Sequence, residues 1–458
     1  MVEYYQELVA PLLAGRRWIV CSDVLATTTL TLERLRAVGA PRPFVLAGGR
    51  GTGKLPDPDL AEIAVLGTSG STIMESLRAY HRALRSLPES VRARIDAWDP
   101  EGRARVLASW LDEDTEIAGR PTWGARPASW VALEDKTTVD HLWDEAGVRR
   151  APFAVVAARP ADLVAAARTL DRGAGTVWVG DNREGWHGGA EYLRLVGDPA
   201  SASDEVTFFS RHADRVRVMP FLKGIPCSIH GMVFPDDVIA FRPVEMIVYR
   251  SGGPLLRYAG TSSVWDPPEA DRAEMRRVAQ QVGRHLGDHH GFRGGFTIDG
   301  VLGADGFLPT ELNPRPGAGM GALVAEIRDL PLIDIHRSLV AGERLDYRPA
   351  DLERIVVTAA DRTRVARALM PVDAEFPETE EFSIAVHDGT VRPAGDGASH
   401  GTLTRGPGHQ GGMVFVSLEP QYLEAGGPAA PILASAFRLA DELWDTGIGP
   451  LIPATPVR

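Results

Sequence analysis

The sequence predicts an α/β chain with an α+β core, and three observations carry that expectation. Apolar strand-like runs alternate with helical segments over the first 120 residues. Residues 177–241 are rich in short strand-like runs and glycine, and residues 295–317 read as a β-hairpin with acidic residues facing each other across it. Strand–helix alternation builds a parallel layer, whereas a run of strands followed by helices builds an α+β unit.

In chain order, Arg17–Cys21 and Pro43–Ala47 read as buried strands around a helix near residues 28–39. Glu62–Leu66 is a third strand, and Thr72 with Glu75 forms a capping box that opens a long helix. A new unit begins around Gly124–Glu134, where Val131–Lys136 leads into a helix ending at Gly147. Phe153–Ala157 is the next strand, followed by another helix. The tail carries strand-like runs at Glu381–Val386 and Gly412–Leu418 and a helix near residues 429–444.

The hairpin carries the chemistry. Ala304-Asp305-Gly306 fits a three-residue turn with Gly306 at the position that needs positive φ. A turn centred on residue 305 sets Asp299 opposite Glu311, and period-two alternation puts Glu311, Asn313 and Arg315 on one face. Phe296, Ile298, Leu308 and Leu312 are then expected on the core face. Facing carboxylates repel unless a cation lies between them, and a hard divalent ion such as Mg2+ takes oxygen ligands of this kind beside substrate phosphates. Asp299, Glu311 and Asn313 are therefore the candidate metal ligands, against the plainer alternative of a surface hairpin with solvated acids.

This constellation resembles the metal-binding end of the ATP-grasp superfamily, whose pattern is an acid on one strand and Glu-x-Asn-x-Arg on the next. Asp299, Glu311, Asn313 and Arg315 match it position by position within Glu-Leu-Asn-Pro-Arg-Pro-Gly. The resemblance implies an ATP-grasp fold with a pre-ATP-grasp α/β domain over residues 1–120. It implies nucleotide-binding subdomains over 121–176 and 177–241, a catalytic subdomain over 242–350 and a C-terminal extension over 351–458. It implies ATP and Mg2+, with Arg315 and Arg293 as catalytic cations and Lys136 on the phosphates. Gly185, His187, Gly188 and Gly189 would form the phosphate lid. Met219, Phe221 and Leu222 would form the adenine hinge, where Pro220 has no N–H to give. The chain departs from the pattern at Val177–Asp181, which lacks the family's second lysine; His187 and Arg183 are the candidate replacements.

The layout is also similar to peptide ligases of the pheganomycin type, through Gly-Asp-x-Arg-x-Gly-x-His-Gly-Gly at residues 180–189 and Cys-Ser-Ile-His-Gly at 227–231. That likeness implies an ADP-forming carboxylate–amine ligase in peptide natural-product biosynthesis. It joins a small amino-acid-like acid to an amine or peptide acceptor through an acyl phosphate, and it is compatible with a homodimer. Loading of a carrier-protein thiol and a catalytically silent nucleotide-binding protein are the alternatives.

Composition narrows the partners. A net charge of −12 argues against a broad phosphate-backbone surface, so nucleic acid is not expected. Cys21 and Cys227 are the only cysteines, no apolar run approaches membrane-spanning length, and a cytoplasmic protein is expected without a membrane partner. Gly48–Lys54 imitates the start of a phosphate loop, but Leu55 replaces the required Ser/Thr and Pro56 and Pro58 forbid the following helix. Arg242 and Glu245 are weaker candidates for charged site residues.

Overall fold

A computed structural model describes residues 1–107, 115–183, 185, 187–408 and 411–456. Three sheets organise them. The first is ordered Glu62–Val65, Phe44–Gly49, Trp18–Val24, Arg105–Leu107, Arg120–Trp123, Glu116–Ile117, parallel except for the last pairing. Its central strands are apolar on both faces because helices cover both, as parallel sheets require. Thr72 caps the helix Ile73–Arg85, accepting the Glu75 N–H at 3.0 Å, while Glu75 takes the Ser71 N–H at 2.8 Å.

The second sheet is small and antiparallel, in the order Ala154–Ala157, Arg215–Pro220, Thr176–Gly180, Leu193–Val196. It is wider than the 177–241 subdomain expected from sequence, since its first strand lies earlier in the chain. Alternation divides its two faces. Trp178, Val216 and Val218 pack beneath the helices Pro160–Leu170 and Ser203–His212, and Val177, Val179, Arg217 and Met219 face a cavity.

The third sheet is antiparallel throughout. Its path runs Gly306–Asn313, Gly294–Gly303, Ile225–Val233, Val244–Arg250, Leu256–Ser262, Ala366–Val372, Gly412–Leu418, Gly401–Pro407, Glu380–His387, Thr390–Pro393. It does not stop at residue 350: Ala366–Val372 joins the so-called extension to the strands that carry the hairpin. The helix Glu269–His290 covers the outer face near the hairpin, burying Met275, Val282 and Leu286 against Ile229, Phe296 and Ile298. The opposite face is the cavity floor. Among the described residues, no helix is long and apolar enough to cross a membrane.

Candidate active site

The hairpin reaches the expected pairing by a different route. Gly303 pairs with Gly306, so the turn has two residues, Ala304 and Asp305, and by itself would set Asp299 opposite Thr310. An irregularity between Asp299 and Gly300 inserts Thr310 as an extra residue, and Asp299 pairs with Glu311 after all. Gly306 does take positive φ, +92°. A side chain at Gly300 would strike the Leu308 carbonyl at 2.4 Å, so the bulge needs glycine there. The bulge also changes the parity of the strand beyond it. Phe307, not Leu308, joins Phe296, Ile298 and Leu312 in the core, and Leu308 is half-buried on the other face.

Around this pair the side chains form a charged network. The Ser228 hydroxyl donates to Asp299 Oδ1 at 2.5 Å, and Asn313 Nδ2 donates to Asp299 Oδ2 at 2.9 Å. Burial, then the charge of Glu311, raises the Asp299 carboxyl above the ordinary carboxylate range, against the opposing pull of Ser228, Arg315 and Lys136. Lys136 Nζ lies 3.1 Å from Glu311 Oε1 and donates to the His187 carbonyl at 3.3 Å.

Arg315 donates to Asn313 Oδ1 at 2.9 Å and to Glu134 Oε1 at 3.1 Å. Glu134 also accepts from Arg126 at 2.6 Å. Burial alone would raise its carboxyl, yet Arg315, Arg126 and Lys136 outweigh that and hold it at about 2. Glu134 thus fixes the guanidinium expected at the reacting end.

The donor set fits a hard divalent cation. Two carboxylates face one another, and one of them is disfavoured as an anion until positive charge arrives. Asn313 presents its amino group to Asp299 and its oxygen to Arg315, so joining the ligand set requires its amide to turn over. Among the described residues no group of three or more His, Cys, Asp or Glu could hold a metal ion. A cation here would complete its shell with phosphate or water oxygens, the habit of Mg2+.

These residues open onto a cavity of about 1100 Å3 between the small and large sheets. Lys136, Asp299, Glu311, Asn313 and Arg315 line it with Gly188, Gly189, Met219, Phe221 and Leu222. The Phe221 N–H is taken by the Gly175 carbonyl at 2.9 Å. Among the described residues nothing engages the Leu222 N–H.

Four expectations need correction. Arg293 is not in the cavity wall; it donates to the carbonyls of Phe292 and Gly287 at 2.6 and 3.4 Å, near the C-terminal end of the long helix. Gly185 is exposed and outside the wall, and its neighbour Trp186 lies outside the described residues. His187 does not supply a cation, because burial and then the Lys136 charge lower its pKa. Its ring stacks on Tyr192 at 4.6 Å, with Nε2 3.2 Å from the Gly180 carbonyl. Arg183 is held at the surface by the Arg211 carbonyl at 3.0 Å and Asp214 at 3.4 Å.

Arg242 and Glu245 are likewise structural. Arg242 bridges Asp266 and Asp361 at 2.8 and 3.0 Å. Glu245 accepts the N–H groups of Ala429 and Ala430 at 2.7 and 3.2 Å, at the start of the helix Ala430–Trp444. The loop at 48–54 docks on the C-terminal strands, with the Thr52 hydroxyl donating to the Pro407 carbonyl at 2.7 Å.

Sequence reasoning missed Glu134, Ser228 and the pair Arg217–Asp140. Arg217 grips Asp140 through two bonds of 2.5 and 2.7 Å and donates to the carbonyl of Thr310, the bulge residue, at 3.0 Å. Position offered one faint signal, since Glu134 stands two residues before Lys136 and Ser228 lies in the Cys-Ser-Ile-His-Gly segment.

No family model and no curated protein matches the chain. Solved structures do. An N5-carboxyaminoimidazole ribonucleotide synthetase in complex with ADP aligns at 12% identity and a TM-score of 0.50, covering 94% of this chain and 97% of that one. An L-amino acid ligase from Bacillus licheniformis aligns at 12% identity and a TM-score of 0.50, covering 96% and 98%. The fold is the ATP-grasp fold with additional N- and C-terminal parts.

Proposed function

We propose that the protein is an ATP-dependent carboxylate–amine ligase that works through an acyl phosphate. One observation carries the reading: in a cavity of this fold, Asp299 and Glu311 face each other with Asn313, Arg315 and Lys136 around them. In the reaction the γ-phosphoryl of ATP passes to a substrate carboxylate, leaving ADP. An amine then attacks the acyl carbon, forming the amide and expelling phosphate.

Asp299, Glu311 and Asn313 would hold Mg2+, which when bound neutralises phosphate charge. Lys136 and the N–H groups around Gly188 and Gly189 are suited to seat the phosphates, and the Leu222 N–H to meet the purine edge. Arg315, fixed by Glu134, presents a preorganised guanidinium to the transferring phosphoryl and to the oxyanion that follows. ADP in one of the similar structures supports a nucleotide in the cavity, and the L-amino acid ligase makes an amino-acid-like acid the first class to test. The likeness to pheganomycin-type ligases extends the proposal to a peptide acceptor, natural-product biosynthesis and the cytoplasm.

The test is Mg2+-dependent ADP release measured while acids and amines are varied, with Glu311→Gln as the control. Release that needs both an acid and an amine supports the ligase. The neutral His187 and outward-facing Arg183 favour one competitor, a silent nucleotide-binding protein; tight ATP binding with no turnover would select it. Release that depends on a thiol would select carrier loading.

A further inference from the structure

We propose that the branch of the cavity walled by the C-terminal extension is a subsite for a long or bulky apolar substituent on the carboxylic-acid substrate. It rests on the ligase reading above. The cavity of about 1100 Å3 lies at the upper end of the range of roughly 300–1,000 Å3 usual for ligand sites, and on the ligase reading it must seat the acid beside the nucleotide. From the hairpin the lining follows one face of the large sheet past Val248 and Leu256 to Leu369 and Pro371, and Ile448 and Pro453 close it. This wall is mainly apolar, although Arg250, Arg257 and Asp373 also line it, whereas Asp299 and Arg315 belong to a charged network.

The wall is also built rigidly. Asp441 accepts the Thr446 hydroxyl at 2.7 Å and the N–H groups of Ile448 and Gly449 at 3.0 Å each. Arg257 donates to the Ile448 carbonyl at 2.9 Å, and Ile452 and Pro453 pair with Arg250 and Tyr249. A side chain entering the branch therefore meets a formed surface and loses no energy to ordering the tail.

Tyr258 joins this branch to the charged end. It lies in the cavity wall, its phenol feels both Asp299 and Arg315, and among the described residues its hydroxyl has no hydrogen-bond partner. A carboxylate held at Arg315 can accept from that hydroxyl while its substituent runs on into the apolar branch. An acid with a short substituent leaves the apolar part of the branch wet.

ADP release across acids of increasing apolar size tests the proposal. The expected result is kcat/KM rising by about tenfold or more from a methyl-bearing to an isobutyl- or aryl-bearing acid. Leu369→Trp, at a half-buried position in this wall, should lower kcat/KM for the large acids about tenfold more than for the small one. Release with no size preference, or a rise in KM for ATP matching the loss for acids, overturns the subsite while leaving the ligase intact. Absence of release with every acid sinks both readings together.

Discussion

Lys136 Nζ sits 3.1 Å from Glu311 Oε1, so an ammonium stands against the carboxylate that faces Asp299. The pair is a charge balance that a bound cation can replace. Removing the negative charge should therefore separate folding from chemistry. Glu311→Gln relieves repulsion with Asp299 but takes the partner charge from Lys136, so the melting temperature should change little. It should also cut Mg2+-dependent ADP release by about 100-fold or more, the scale on which site charge acts. Melting curves beside turnover check this, and unchanged turnover would falsify the metal assignment.

Glu134 predicts the opposite split. Its charge lies between Arg126 and Arg315 and is held ionised down to about 2. Glu134→Gln takes the negative charge from between two guanidinium groups, one of them fully buried, and should cost about 3–5 kcal/mol. Stability and kcat should fall together, because Arg315 loses its support. Denaturant unfolding with parallel kinetics decides it; a stable variant of full activity would show that Arg315 needs no such anchor.

Arg217 links the small sheet, Asp140 and the bulge carbonyl of Thr310. Arg217→Lys keeps the charge but cannot hold both partners at once. The Mg2+ concentration for half-maximal ADP release should rise about tenfold, equivalent to about 1.4 kcal/mol of lost register. A purely structural role would lower the melting temperature and leave the Mg2+ dependence in place.

Glu245 gives a pH signature far from the chemistry. Burial raises its carboxyl to about 7, despite the N–H groups of Ala429 and Ala430 that favour the anion. A carboxyl whose pKa is raised on folding contributes stability that is full below about 4.5, its unfolded value, and is lost as pH rises through about 7. The wild type should therefore lose up to about 3 kcal/mol between pH 5 and 8 through this group. Glu245→Gln should flatten that slope, as melts across the pH range will report.

The hairpin is legible because its information is local. Two strands joined by a short turn keep Asp299, Glu311, Asn313 and Arg315 within one stretch of chain, where alternation alone assigns faces. Even there, the spacing predicts a three-residue turn where the structure has two residues, and the bulge at Thr310 supplies the missing one. Leu308 was misplaced for the same reason, since a bulge reverses parity beyond it. Arg293 looked equivalent to Arg315 by proximity in sequence, but five residues of extended strand, about 3.3 Å each, separate it from Asp299.

The sequence by itself determined the fold class, the facing acids and the lack of a lysine at Val177–Asp181. Those follow from hydrophobic period, turn chemistry and residue identity, which each segment carries alone. Only the tertiary structure decided that Glu134 holds Arg315, that His187 is buried and neutral, and that residues 366–372 extend the same sheet as Asp299. Such relations depend on distance and burial between segments far apart in the chain. A single side chain's charge state and partners are set by what the fold packs against it.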